Sequence, residues 1–212
     1  MTEKVLVLRT CDADLKSYCG FQWPATGPVS CEDFDPAPVC GYGLHGLLWG
    51  EGAGELLDWS DDAKWLVVEV PADEIVKLGN KVKFPRGTVV FCGDRPGATT
   101  FVAATRPGAI VGHTAIAGNR GTATAGYGGR AIAGNRGTAT AGNRGTATVG
   151  DDGTATAGNG GTATAGNRGV LILRDGRGLV HVARVGDPGI SPCVAYRLDD
   201  NGSFIRKESE NV

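Results

Sequence analysis

The sequence predicts a mainly β protein in three parts: a small α+β domain, a thin β-solenoid of about 16 residues per coil made of two octads, and a C-terminal β cap. Three observations carry this. Gly recurs at 118, 126, 134, 142, 150, 158 and 166, and again at 121, 129, 137, 145, 153, 161 and 169, both at a period of eight. Self-similarity at a fixed period marks a stacked repeat. All four tryptophans (Trp23, Trp49, Trp59, Trp65) precede the repeats, so a conventional core belongs there. After the repeats, Val170-Leu171-Ile172-Leu173 replaces Thr-Ala-Thr in the same register, as a cap requires. The expected boundaries are 1–103, 104–172 and 173–212.

Composition narrows the function classes. The 212 residues include 35 glycines, and the formal net charge is −2. Near-neutral charge gives no general attraction to nucleic acid, so no nucleic-acid partner is expected. No apolar run approaches the roughly 20 residues of a membrane helix, so no membrane partner is expected either. The apolar stretch Val5–Leu8 is too short for a signal-peptide core, which makes a cytoplasmic location the expectation.

In chain order, Val5–Leu8 followed by Arg9-Thr10 reads as a strand. Residues 11–43 carry Pro24, Pro28, Pro36 and Pro38, which exclude a long helix. Trp65–Val70 is a β-branched strand ended by Pro71. Residues 71–78 before Gly79 read as a short helical turn, and Lys81–Phe84 and Thr88–Cys92 as strands. Six cysteines without a CxxC pair suggest reduced thiols rather than a zinc site, with Cys40 a buried thiol beside a structural His45. No metal or cofactor is expected.

The repeat unit is Ala-Gly-Asn-Arg-Gly-Thr-Ala-Thr, beginning at Ala117, Ala125, Ala133, Ala141, Val149, Ala157 and Ala165. Positions six and eight tolerate Arg130, Ile132, Val170 and Ile172, so they face out. Positions seven and one stay small until Leu171, so they face in, with the two-residue alternation of a strand. Positions two to five are the turn, where Gly and Asn tolerate left-handed backbone. Two octads close one flattened coil. One face then carries Thr122/Thr124, Thr138/Thr140 and Thr154/Thr156 and ends in Val170/Ile172, while the other carries Thr146/Thr148 and Thr162/Thr164. Arg120, Arg136, Arg144 and Arg168 fall at the turns and read as a solvated edge that discourages aggregation. Beyond the repeats, 179–183, 193–198 and 203–206 read as strands, with Asp199–Gly202 a hairpin turn.

Two resemblances follow from these motifs. Over residues 117–172 the octad resembles that of bacterial ice-nucleation proteins, which implies a thin β-solenoid. The whole chain resembles an uncharacterised bacterial and phage-encoded family, on Gly20-Phe21-Gln22, Cys40-Gly41-Tyr42-Gly43-Leu44-His45, Glu69 within Trp65–Val70, and Tyr196-Arg197-Leu198. That second resemblance implies architecture and origin, without an activity.

Function divides three ways. The leading expectation is a non-catalytic solenoid for interaction or assembly, with a protein partner or self-association, and, from the resemblance, a phage-encoded protein acting on a host or defence component. The second is an ice binder using the Thr-x-Thr rows. The third is a small enzyme resembling ADP-ribosyltransferases, in which Arg9, His45 and Glu69 would hold a dinucleotide and stabilise a ribosyl cation. A small-molecule ligand remains compatible with each. Gly41–Gly46 matches GxGxxG, but no strand precedes it and no helix follows in the pattern, so nucleotide binding is not inferred from it.

Overall fold

The computed structural model describes residues 3–106 and 108–207. The chain forms two compact units, one ending at Val111 and the other beginning at Gly112.

In the first unit, β1 (Lys4–Cys11), β2 (Gly27–Ser30), β3 (Leu44–Leu48), β4 (Lys64–Pro71), β5 (Val76–Lys77), β6 (Val82–Phe84) and β7 (Arg86–Gly93) form one sheet. Its strand order is β2-β7-β4-β1-β3-β6-β5, and the paired neighbours are antiparallel. Val5, Val7, Leu66, Val68, Val70, Phe84 and Trp23 pack into one buried cluster on one face. The other face receives α1 (Arg95–Thr105), whose Ala98 and Val102 are fully buried and whose Phe101 ring lies 5.9 Å from Phe91. Asp94 caps this helix by accepting the N–H of Gly97, and Pro96 sits in the first turn, where no N–H is needed. Residues 71–78, expected to be one short helical turn or two, hold a single 3-10 turn (Ala72–Glu74) and then run into β5. Pro71 and Leu78 bound a segment too short to nucleate a helix.

The second unit is a solenoid. Its strands are β8 (Thr114–Ala117), β9 (Thr122–Ala125), β10 (Arg130–Ala133), β11 (Thr138–Ala141), β12 (Thr146–Val149), β13 (Thr154–Ala157), β14 (Thr162–Thr164) and β15 (Val170–Arg174). Even-numbered strands stack in one parallel sheet and odd-numbered strands in the other, each pairing with the strand 16 residues on. The mainly β class and the two-octad coil expected from the sequence are what the structure has. Except for Val149, the inward positions from Ala123 to Ala165 are filled by Ala at 0–3% exposure. Each such side chain buries only a methyl, worth about 0.8 kcal/mol, so little of a coil's stability comes from apolar packing.

The cap supplies what the coils lack. β16 (Val180–Arg184) pairs antiparallel with β15, and β17 (Tyr196–Leu198) pairs antiparallel with both β14 and β18 (Phe204–Arg206). Leu171, Leu173 and Tyr196 are buried against the last alanines. The Tyr196 hydroxyl accepts the N–H of Ser191 at 2.8 Å and donates to the carbonyl of Gly189 at 3.0 Å. The polar tip of this buried ring is thereby satisfied.

Candidate functional site

The most regular surface is the outer face of the sheet β9-β11-β13. Register is strict: Thr138 stands opposite Thr122 and Thr154, and Thr140 opposite Thr124 and Thr156. Six threonines thus form a grid with about 4.8 Å between strands and about 6.6 Å along each strand. Their side chains are exposed or half-buried, while Ala123, Ala125, Ala139, Ala141, Ala155 and Ala157 point inward. The grid ends where Val170 and Ile172 pair with Thr154 and Thr156. The opposite sheet is less uniform, starting with the exposed Ile116 and with Arg130, and Thr162 is buried beside the cap. β-Branched side chains are stiff at χ1, so each hydroxyl and methyl is held ready.

The turns that space this grid differ in detail from the expectation. Gly137 N–H donates to Gly134 O at 3.1 Å, closing a four-residue turn that recurs at Gly121, Gly129, Gly145, Gly161 and Gly169. The left-handed residue is position four, with φ of 59° at Arg120, 57° at Arg136, 55° at Arg144, 56° at Asp152 and 55° at Arg168. Neither Asn nor the framing glycines supply it. Those glycines answer to close approach instead: a Cβ on Gly142 would lie 2.8 Å from the backbone of Gly126 and Tyr127. The Asn side chains do something the repeat pattern alone did not disclose. Asn119 Oδ1 accepts the N–H of Asn135, Asn135 Oδ1 that of Asp151, and Asp151 Oδ1 that of Asn167. Asn143 Oδ1 accepts the N–H of Asn159 on the other edge.

The four arginines are divided between the two edges. Arg120, Arg136 and Arg168 share one column with Asp152, and Arg144 stands in the other between Gly128 and Gly160. Asp152 is bracketed, with Arg168 at 2.7 Å and Arg136 at 4.0 Å. Hydrogen bonding to Arg168 holds its carboxyl below the usual carboxylate range.

Arg9, His45 and Glu69 do not converge. Glu69 stands opposite Leu6 in β1, whereas Arg9 stands opposite Leu66, so the two side chains leave opposite faces of the sheet. Glu69 is ion-paired with Lys4. His45 meets Arg9 only through its backbone, whose carbonyl accepts from Arg9 Nη1 at 3.2 Å. Its neighbour Leu44 packs into the cluster on the Arg9 side, so the imidazole points the other way. His45 Nε2 is buried without a hydrogen-bond partner among the described residues, and burial together with the Lys81 and Lys83 charges lowers its pKa. Cys40, expected to be buried, is exposed, with Lys81 Nζ 3.0 Å from its sulfur. That hydrogen bond lowers the thiol's pKa. Gly41–Gly46 runs into a strand, β3, where a phosphate-binding turn would have to open a helix.

Comparison with known proteins gives two kinds of match. Residues 5–100 match a domain of unknown function, DUF7666. The chain carries a DUF7666 domain at its N-terminus. Beyond DUF7666, the chain is similar to ice nucleation proteins. It is 44% identical over 109 residues to one from Xanthomonas campestris pv. translucens, covering 50% of this chain and 7% of that protein. It is 43% identical over 103 residues to one from Pseudomonas fluorescens, covering 48% and 8%, and 42% identical over 104 residues to one from Pseudomonas syringae, covering 48% and 9%. The chain therefore spans less than a tenth of the length of these relatives. No solved structure matches. The repeat resemblance read from the octad stands. The expected cytoplasmic location does not: ice nucleation proteins are outer-membrane-anchored surface proteins, which conflicts with it. The reading from Val5–Leu8 failed because the start of a chain matching so small a part of its relatives carries no information on location. These bacterial relatives also lend no support to a phage origin or a host target for the DUF7666-bearing chain.

Proposed function

We propose that the solenoid is an ice-binding module that orders water on the Thr grid of β9, β11 and β13. The observation that carries this reading is the strict register of Thr122/Thr124, Thr138/Thr140 and Thr154/Thr156 on one parallel sheet. Adsorption to a crystal sums many weak contacts, and a surface already held in one geometry loses little entropy on contact. Short β-strands backed by alanine and pinned by Asn ladders meet that condition. Similarity to ice nucleation proteins supports the same reading.

The test is partition of the full chain into slowly growing ice. Enrichment in the ice fraction is expected, and it should be lost when Thr138 and Thr140 are both replaced by Lys. Long side chains are tolerated at these outward positions, as Arg130 shows at position six, so the fold should survive. The same pair of substitutions at Thr146 and Thr148 should have a smaller effect. Exclusion of the parent protein from the ice would reject the reading.

A second reading, self-association, is favoured by β16. Leu179, Val180 and Val182 are exposed on or beside this last strand of the β9-containing sheet, continuing the apolar Val170 and Ile172. Sedimentation velocity should show a concentration-dependent dimer that Val182→Lys abolishes. A monomer at all concentrations would reject it.

A further inference from the structure

The DUF7666 domain contains a cleft of about 660 Å³ beyond the C-terminal end of β1, between residues 12–18 and 55–58. At its wall is a cation with no acid to balance it. Arg9 forms no ion pair among the described residues. Its guanidinium is held in place all the same. Nε and Nη2 both donate to Thr10 O, at 3.3 and 3.2 Å, and Nη1 donates to His45 O at 3.2 Å. The Trp23 ring supports it from one side, 4.1 Å from centroid to Cζ. A guanidinium has five N–H donors, so two remain, with the Cys11 thiol beside them. Withdrawing a charge from water is costly unless a counter-charge repays it, and here neutral carbonyls, a π face and a thiol whose pKa burial raises take that place. The buried Trp23 Nε1 beside it also has no acceptor among the described residues. Arg9 is thus the part of the cleft wall with donors to spare.

The rim is acidic on balance. Lys16 lines it together with Asp12 and Asp58, whose Oδ1 atoms are each committed to turn N–H groups. Glu55 lines it too and makes no ion pair among the described residues. A doubly charged phosphate would meet these carboxylates unfavourably. A single carboxylate reaching Arg9, with an ammonium left at Glu55, satisfies both ends. Tyr18 and Leu56 expose apolar surface at the same mouth. We propose that this cleft binds a zwitterionic small molecule, an α-amino acid with an apolar side chain, its carboxylate on Arg9 and its ammonium toward Glu55. Pockets of this size, with a few convergent polar groups on an apolar wall, suit such a ligand.

Calorimetric titration of the full chain with L-phenylalanine, 3-phenylpropionate and phenethylamine tests this. Phenylalanine should bind saturably, and the two analogues, each lacking one charge, about tenfold or more weakly. Glu55→Gln, at an exposed site that leaves the fold intact, should erase the advantage of phenylalanine over 3-phenylpropionate. Arg9→Gln should abolish carboxylate binding, with circular dichroism confirming that the sheet persists. Four results would overturn the proposal: no heat from any probe, equal binding of phenylalanine and phenethylamine, an unchanged preference in Glu55→Gln, or inorganic phosphate displacing phenylalanine.

Discussion

Asn119 Oδ1 accepts the backbone N–H of Asn135, one coil further on, at 3.0 Å. The same bond repeats at Asn135 and Asp151 up this edge, occurs at Asn143 on the other, and does for these turns what β-ladders do for the strands. The turns it joins are tied to the next coil, which matters because the alanine interior contributes so little. Replacing Asn135 by Ala should leave the N–H of Asp151 without its partner. The expected cost is about 1 kcal/mol. Amide hydrogen exchange would read this locally, with Asp151 exchanging about fivefold faster or more and the β1–β7 sheet unchanged.

The coil repeat also sets which deletions are tolerated. Removing residues 133–148 takes out one full coil and joins Ile132 to Val149 in octad register, with every later strand on its own face. Removing residues 133–140 keeps the octad register but moves every later strand to the opposite sheet. Leu171, Leu173 and the cap strands would then meet the wrong neighbours. The first variant should melt cooperatively near the parent temperature, and the second should lose the cap. A thermal melt followed by circular dichroism distinguishes them.

Arg144 adopts left-handed backbone at φ 55°, while Gly128 and Gly160, before and after it in the same column, do so at 62° and 66°. Left-handed backbone costs a residue with a Cβ about 1–2 kcal/mol, part of which glycine returns through its greater unfolded-state entropy. Arg144→Gly should therefore raise stability by up to about 1 kcal/mol, seen as a higher denaturation midpoint. Arg168→Gly should gain less, because it also breaks the pair with Asp152.

In the cap, burial would raise the Asp175 carboxyl, but the N–H groups of Leu179 and Arg177 and the side chains of Arg177 and His181 overcome this and hold it at about 2. A depressed carboxyl stabilises the fold above its ordinary value of 3.8, and that contribution is lost as pH falls toward 2. The amides of Arg177 and Leu179, which Asp175 Oδ1 accepts, should lose exchange protection across this window. Asp175→Asn should flatten the pH dependence.

Periodicity made the solenoid legible. A side chain that recurs every eight residues must keep one environment, so faces, edges and the coil length all followed from the octad. What an isolated spacing cannot show is pairing register. Arg9 and Glu69 invite a shared site until β1 and β4 pair with Leu6 opposite Glu69, which sends the two to opposite faces. α1 was likewise hidden, because Asp94-Arg95-Pro96-Gly97 carries the residues of a turn while serving as a helix start. The Asn ladder escaped notice for a different reason: its partner is a backbone N–H 16 residues away, and a backbone group leaves no trace in the pattern.

The placement of the aromatic residues has a practical consequence. All four tryptophans lie in the unit that ends at Val111, whereas Tyr196 is buried and hydrogen-bonded in the cap of the other. Indole fluorescence therefore follows the DUF7666 domain alone, whereas tyrosine absorbance mixes both units because Tyr18 and Tyr42 lie in the first. The unfolding of that domain can be watched in an unlabelled sample with no contribution from the solenoid.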